Sequence, residues 1–181
     1  AFCRRYKSIR NLRLTGDPAR AAMLRRSISL INRSLSNPSA STAVSTIGSV
    51  VSDGVGAAST AGVSVEQATT GLVTGAIEGA KDAGVTLTQA VEESAHGAVA
   101  GVSHIGGDVG GAAVAAVEGA IKAAGDIGED SGELAKNAVV GAIRAADEIG
   151  TEAGGLVRKS LLGAAALPHD VIDALLTGKN D

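Results

Sequence analysis

Histidine is the residue type best suited to metal binding and acid–base catalysis, and the chain has three, His96, His104 and His169. His96 and His104 stand eight residues apart, or about two turns of a helix. A chelating pair on one helical face needs a spacing of four. Both positions fall on the polar side of the helix predicted below, so we expect solvated histidines and no metal site.

Two pairs of adjacent acids, Glu92-Glu93 and Glu129-Asp130, are candidates for shared proton chemistry. Both pairs fall on the same polar side, and nothing in the sequence marks either as an acid–base site. The glycine-rich stretch 106–111 lacks the Lys-Ser/Thr and the preceding strand of a phosphate loop. We therefore expect no enzyme and no cofactor.

The basic residues are concentrated at the start of the chain. Residues 1–36 carry nine basic groups against one acid, Asp17. Thr15-Gly16-Asp17-Pro18 reads as a helix stop followed by a helix start, so residues 1–37 are predicted to be a basic helical docking segment with two short helices. The alternatives are a solvated helical hairpin and an organelle-targeting segment. The residues that we expect to dock a partner are Arg4, Arg5, Arg10, Arg13, Arg25 and Arg26.

An acidic protein or another anionic surface is the partner that suits these arginines. Base-stacking aromatic residues are not interleaved with them, so sequence-specific nucleic-acid binding is not expected. The only cysteine, Cys3, excludes an internal disulfide.

A glycine repeat organises the rest of the chain, with a period of 22 residues. One set of glycines has this spacing, and a second set follows it nine positions later. The first set is Gly75, Gly97, Gly119, Gly141 and Gly163, and the second is Gly62, Gly84, Gly106, Gly128 and Gly150. A period of 22 is two elevens, which is typical of a right-handed helical supercoil.

Apolar residues share one face at this period and charged residues share the other, as in an amphipathic helix. The fold class predicted is all-α, with a long amphipathic helix over residues 53–167 that forms a right-handed oligomeric coiled coil or tube. Residues 38–52 are predicted to be a Ser/Thr-rich linker and helix start, and residues 168–181 a short terminal helix. A helix folded back at Gly106-Gly107 or Gly154-Gly155 is the architectural alternative.

Glycine inside a helix costs about 1 kcal/mol relative to alanine, so close packing of helices must offset it. The chain has one Phe, one Tyr and no Trp, a composition that favours association over a compact monomer. We expect a homo-oligomer, as a trimer, tetramer or larger assembly. The residues predicted to pack in it are Gly75, Gly84, Gly97, Gly106, Gly119, Gly128, Gly141, Gly150, Ile127 and Ile149.

The eleven-residue units of residues 53–163, rich in Ala, Gly, Val, Thr and acids, resemble those of synucleins and late-embryogenesis-abundant proteins. The first resemblance implies lipid contact, although the paired lysines of synuclein repeats are missing here. The second implies a stress-type chain that is disordered alone.

Three functions follow from these patterns. The first is a cytoplasmic structural scaffold or stalk that self-assembles and docks a partner complex through its basic N-terminus. The second is a peripheral membrane adaptor or carrier, whose apolar face or bundle lumen contacts lipid or a lipophilic molecule such as a quinone. The third is the stress-type chain.

Overall fold

A computed structural model of the chain describes residues 38–164 and residue 167. The described secondary structure is entirely α-helical, which confirms the predicted class. The helices are α1 (Pro38–Thr60), α2 (Val65–Asp82), α3 (Leu87–His104), α4 (Val109–Ile127), α5 (Ser131–Ile149) and α6 (Thr151–Gly163). From residue 40 onward, the described residues belong to one compact unit.

The predicted continuous helix over residues 53–167 is wrong, because the chain turns once in every repeat. Gly62, Gly84, Gly106 and Gly128 have φ angles between 69° and 74°, a left-handed conformation that ends a helix and that glycine adopts without strain. At each turn the next residue donates its N–H to a carbonyl five positions back, as Glu129 does to Ala124 at 2.9 Å. These are Schellman motifs, so glycines that would weaken a helix interior instead stabilise helix ends.

The residue two positions after each of these glycines begins the next helix. Ser64, Asp108 and Asp130 accept a hydrogen bond from a backbone N–H in the first turn, whereas Thr86 caps α3 without one. Each such side chain satisfies an N–H group that the helix itself leaves unpaired. One repeat therefore consists of a helix of 18 or 19 residues followed by a short turn. Residues 38–52, predicted as a linker and helix start, lie within α1.

Helices two apart in sequence lie side by side and run in the same direction. Contacts between them keep a nearly constant sequence offset: Gly97 lies against Gly48, Gly119 against Thr70, and Gly141 against Glu92. The offset is 49 residues in all three pairs. It also stays constant along a single pair of helices: on α1 and α3, Gly101 lies against Ser52, again 49 residues earlier, and on α2 and α4 the hydrogen bonds from Thr70 to Ala115 and from Thr74 to Gly119 have equal offsets. An offset that stays constant along two helices requires them to be parallel. Short turns reverse the chain between consecutive helices, so α1, α3 and α5 form one row and α2, α4 and α6 form a second.

The core between the rows is built mainly from alanine and valine. Val91, Ala95, Ala98 and Val99 of α3 are fully buried. Small side chains such as these bury little area each, but they allow the helix backbones to come into contact, which increases the number of close atom pairs. The core is therefore stabilised by close approach of the helices.

Candidate interaction surfaces

Two of the residues considered for chemistry, His96 and Glu129, form ion pairs, and His169 lies outside the described residues. His96 Nε2 lies 3.0 Å from Glu148 Oε2, and Lys81 Nζ lies 3.3 Å from Glu129 Oε1. His104 is in the last turn of α3. No group of three potential ligands that could hold a metal ion occurs within the part of the chain that the structure describes.

The glycine-rich stretch 106–111 is a helix end followed by a helix start. Gly106 ends α3 in the left-handed conformation, and the Asp108 carboxylate accepts a hydrogen bond from the N–H of Gly110 at 2.9 Å. The Asp108 carboxylate occupies the N-terminus of α4, which is where a phosphate loop would bind its anion. This stretch therefore connects and caps helices.

A charge cluster around Arg144 joins α3 to α5. Its guanidinium donates to Glu92 at 2.8 Å and to Glu93 at 2.7 Å, and its Nε lies 3.8 Å from Glu148 Oε1. The hydrogen bond with Glu93 raises the pKa of Arg144, against a smaller opposing effect of desolvation, and the charges of the neighbouring glutamates add to the rise. The adjacent acids Glu92 and Glu93 thus fix two helices together.

The sequence did not predict this cluster, because Glu93 and Glu92 lie 51 and 52 residues before Arg144. Helical periodicity relates residues three or four apart on one helix. A pairing between helices depends on which helix packs beside which. No local signal in the sequence reports that choice.

The first set of glycines lies at close contacts between helices of the same chain. A Cβ atom placed on Gly97 or Gly141 would come 2.1 Å from a backbone oxygen of the helix two earlier, and one on Gly119 would come 2.8 Å from Thr70 O. Gly75 and Gly163 differ, because no described atom lies within 4 Å of either Cβ position. The assignment of these residues to contacts between copies stays a prediction.

The second set of glycines lies at helix ends. Gly84, Gly106 and Gly128 have the left-handed φ angles described above, and Gly150, with φ 149°, separates α5 from α6. Ile127 and Ile149 are the last residues of α4 and α5. Ile127 packs against the core, whereas Ile149 is 42% exposed.

A shallow groove of about 660 Å³ lies among the helices of the second row and is open to solvent. Its charged lining residues are Glu66, Asp108, Glu118 and Lys159, and Val114 and Leu156 contribute apolar surface. Asp108 already caps α4, and Glu66 accepts a hydrogen bond from the Ser64 hydroxyl at 2.7 Å. That hydrogen bond lowers the pKa of Glu66.

The six arginines predicted to dock a partner, and the predicted terminal helix at 168–181, lie outside the described residues. Among the described helices, none is both long and apolar enough to cross a membrane. Comparison of the chain with protein-family models, with curated proteins and with solved structures gave no match.

Proposed function

We propose that this chain is a non-enzymatic structural scaffold. Copies self-associate through their repeat helices, and the basic N-terminal segment docks a partner with an acidic surface. Because the helices are short and stacked, the assembly proposed is a homo-oligomer of stacked helices rather than a coiled coil of long ones.

The observation that carries the proposal is the repeated contact between helices two apart. Gly97, Gly119 and Gly141 occupy the same repeat position and lie against the backbone of the helix two earlier. In repeat proteins each unit contacts only its neighbours, so the terminal units expose the surfaces that the inner units bury. Another copy of the chain offers a matching surface to such an end.

The partner-docking part of the proposal rests on the nine basic groups of residues 1–36. Guanidinium groups form paired hydrogen bonds with carboxylates, and an excess of one charge accelerates encounter with a surface of the opposite charge.

A membrane adaptor or lipophilic carrier has less support. It needs an apolar surface or lumen that is open to lipid, whereas the valines and alanines of the described helices are mostly buried against one another.

The test of self-association is the mass of the full chain by light scattering over a hundredfold dilution, with helicity followed by circular dichroism. We expect a multiple of 17.7 kDa at the higher concentrations and high helicity without lipid. A mass of one chain at every concentration would contradict self-association. Helicity that appears only with vesicles would favour the membrane alternative.

The test of docking uses poly-glutamate as a model acidic surface. Replacing Arg25 and Arg26 with glutamine should weaken retention on immobilised poly-glutamate and leave the light-scattering mass unchanged. A matched variant, Lys122→Gln on α4, removes a basic group outside the N-terminal segment and should be retained like the parent. Equal retention of all three chains would contradict the docking role of the arginines.

A further inference from the structure

The contacts between helices two apart have one direction, so the rows begin and end in different surfaces. Each contact places a glycine against the backbone of a residue 49 positions earlier, as Gly141 lies against Glu92. The accepting residues Gly48, Thr70 and Glu92 are therefore 22 positions apart. The same step leads next to Val114 on α4, whose counterpart Gly163 on α6 makes no such close contact, because no described atom lies within 4 Å of its Cβ position. Two further steps lead to Lys136 on α5 and Arg158 on α6, beyond which no described helix lies.

The surface on α5 and α6 is here called the C-terminal surface and consists of Lys136, Val140, Arg158, Lys159 and Leu162. Val140 and Leu162 follow the two accepting positions by four residues, which places them on the same helical faces. They are 41% and 40% exposed.

The opposite surface, here called the N-terminal surface, consists of Val50 and Asp53 of α1 with Gly75 and Glu78 of α2. Gly75 and Asp53 precede Gly97 by one and two repeats, so they hold the position that contacts an earlier helix elsewhere in the rows. Val50 is 59% exposed.

Burial at the equivalent positions shows how unusual Val50 is. The residues two, three and four repeats later are Ser94, Ala116 and Ala138, and all three are fully buried. An apolar side chain is thus exposed in α1 at a repeat position whose equivalents in α3, α4 and α5 are buried. A further layer of helices would cover it.

The two surfaces carry opposite unpaired charges. Within residues 38–164, the lysines and arginines without an ion-pair partner are Lys136 and Lys159, both on the C-terminal surface. Asp53 and Glu78 have no ion-pair partner among the described residues either, a property that they share with acids elsewhere in the helices, such as Glu118. Arg158 of the C-terminal surface pairs with Asp147 of its own chain at 2.9 Å. Opposite charge on two surfaces favours their encounter and fixes their relative orientation.

The repeat register brings these charges together when one copy is stacked on another. Within the chain, Arg144 pairs with Glu92 and Glu93 two helices earlier. Glu78 precedes Arg144 by three repeats, and Arg158 and Lys159 follow the two glutamates by three repeats. A copy that continues the rows would therefore place Glu78 opposite Arg158 and Lys159, which is the same contact with the charges exchanged.

We infer that the N-terminal surface of one copy binds the C-terminal surface of a second copy, head to tail, with α2 stacked on α6 and α1 on α5. The inference rests on the proposed self-association and specifies its surfaces and direction. Asp53 stands where later helices have glycine, so α2, through Gly75, makes the closer of the two contacts. Because the two surfaces differ, the interface is heterologous, and copies can add successively in one direction.

The test reverses one charge on each surface and then mixes the variants. Glu78→Lys and Lys159→Glu each place like charges at the junction, so each should raise the dissociation constant by roughly tenfold. Lys122→Glu makes the same change on the exposed side of α4 and should leave the constant unchanged. Light scattering gives the mass, and thermal unfolding by circular dichroism shows that each variant is folded.

Mixing tests whether residues 78 and 159 of neighbouring copies face each other across the junction. In an equimolar mixture of Glu78→Lys and Lys159→Glu, every junction between unlike copies pairs opposite charges. The mixture, and the double variant alone, should therefore recover the mass of the assembly that the parent chain forms. A salt titration should weaken the parent assembly and should affect the single variants less, because they have lost the attractive pair.

The remaining outcomes overturn the inference in distinct ways. If both single variants associate as strongly as the parent chain, these two surfaces are refuted, but the proposed self-association is not. Reversals that weaken association without recovery in the mixture and in the double variant would refute the contact between Glu78 and Lys159. A parent mass that stops at two chains at every concentration would refute the head-to-tail direction. If the parent has the mass of one chain and both reversals lower its unfolding temperature, the surfaces are covered within the chain, and the proposed self-association fails as well.

Discussion

Replacing Gly141 with alanine should destabilise the fold, although alanine is the better helix former. An ideal Cβ at this position lies 2.1 Å from the backbone oxygen of Glu92 and 2.9 Å from its carbonyl carbon. The obstacle is backbone, so no side-chain rotation relieves the contact. Helices α3 and α5 would have to separate by more than 1 Å to restore an ordinary contact of 3.4 Å, which disturbs the core packed around them.

The magnitude follows from two opposing effects. Overpacking a well-packed interior costs about 1–3 kcal/mol, and sometimes more. Alanine in place of glycine returns roughly 0.5–1 kcal/mol by restricting the unfolded chain. Because the clash is with backbone, we take the overpacking cost from the upper half of its range. After the alanine gain is subtracted, the Gly141→Ala variant should lose about 1–2 kcal/mol of unfolding free energy.

The matched control is Gly125→Ala on α4, where no described atom lies within 4 Å of the Cβ position. This variant keeps the helix-forming gain without the clash, so it should be more stable than the parent by about 0.5–1 kcal/mol. Urea unfolding followed by circular dichroism measures both, with an unchanged slope against urea showing that the unfolded states are comparable. Equal stabilisation by both substitutions would refute the close approach of α3 and α5.

Three further predictions test the turns, the buried hydroxyls and the acid dependence. Gly128→Ala should lower the unfolding free energy by about 1–2 kcal/mol, because φ is 73° there and a side chain disfavours the left-handed conformation; unchanged urea unfolding would contradict the assigned turn. Thr74→Val should cost about 1 kcal/mol of unfolding free energy, because the Thr74 hydroxyl donates a hydrogen bond to Gly119 O at 3.0 Å. Thr69→Val should be neutral or stabilising, because no hydrogen-bond partner of this buried hydroxyl occurs among the described residues. The reverse order of stability in thermal unfolding would contradict the packing of α2 on α4. Ser64→Ala should raise the pKa of Glu66, which the Ser64 hydrogen bond lowers, as measured by NMR titration. A carboxylate whose pKa is lowered in the folded state stabilises the fold at pH values above its ordinary pKa, and this stability is lost as the pH falls through the folded-state pKa. The variant should therefore lose less unfolding free energy on acidification than the parent, and equal acid sensitivity would contradict this contribution.

The sequence predicted the helical class and the repeat length, but it left the meaning of that length ambiguous. A helix of 18 or 19 residues with its turn and two eleven-residue units of a supercoil have the same period. The distinguishing signal lies in the turns, where a glycine is followed two positions later by a capping side chain. It is visible in Gly62-Val63-Ser64 and in Gly128-Glu129-Asp130, since glycine favours a helix end and Ser or Asp favours a helix start.

The contacts between helices could not be predicted in the same way. The glycines of the first set were expected to permit close packing, and Gly97, Gly119 and Gly141 do so within the chain. Their partners, however, depend on how far each helix slides along the helix two earlier. That offset is set by the fit of many small side chains together, so the ion pairs of Arg144 were out of reach of local patterns.

The folded-back stack of parallel helices is the central claim, and one distance tests it most directly. Lys81 Nζ and Glu129 Oε1 lie 3.3 Å apart across α2 and α4, and both side chains are about two-fifths exposed. Spin labels at Lys81→Cys and Glu129→Cys, in a Cys3→Ser chain diluted with unlabelled protein, report this separation by pulsed electron resonance. The fold predicts labels close to contact. A continuous helix would place these positions about 70 Å apart, at 1.5 Å per residue, and a distance near that value would contradict the account.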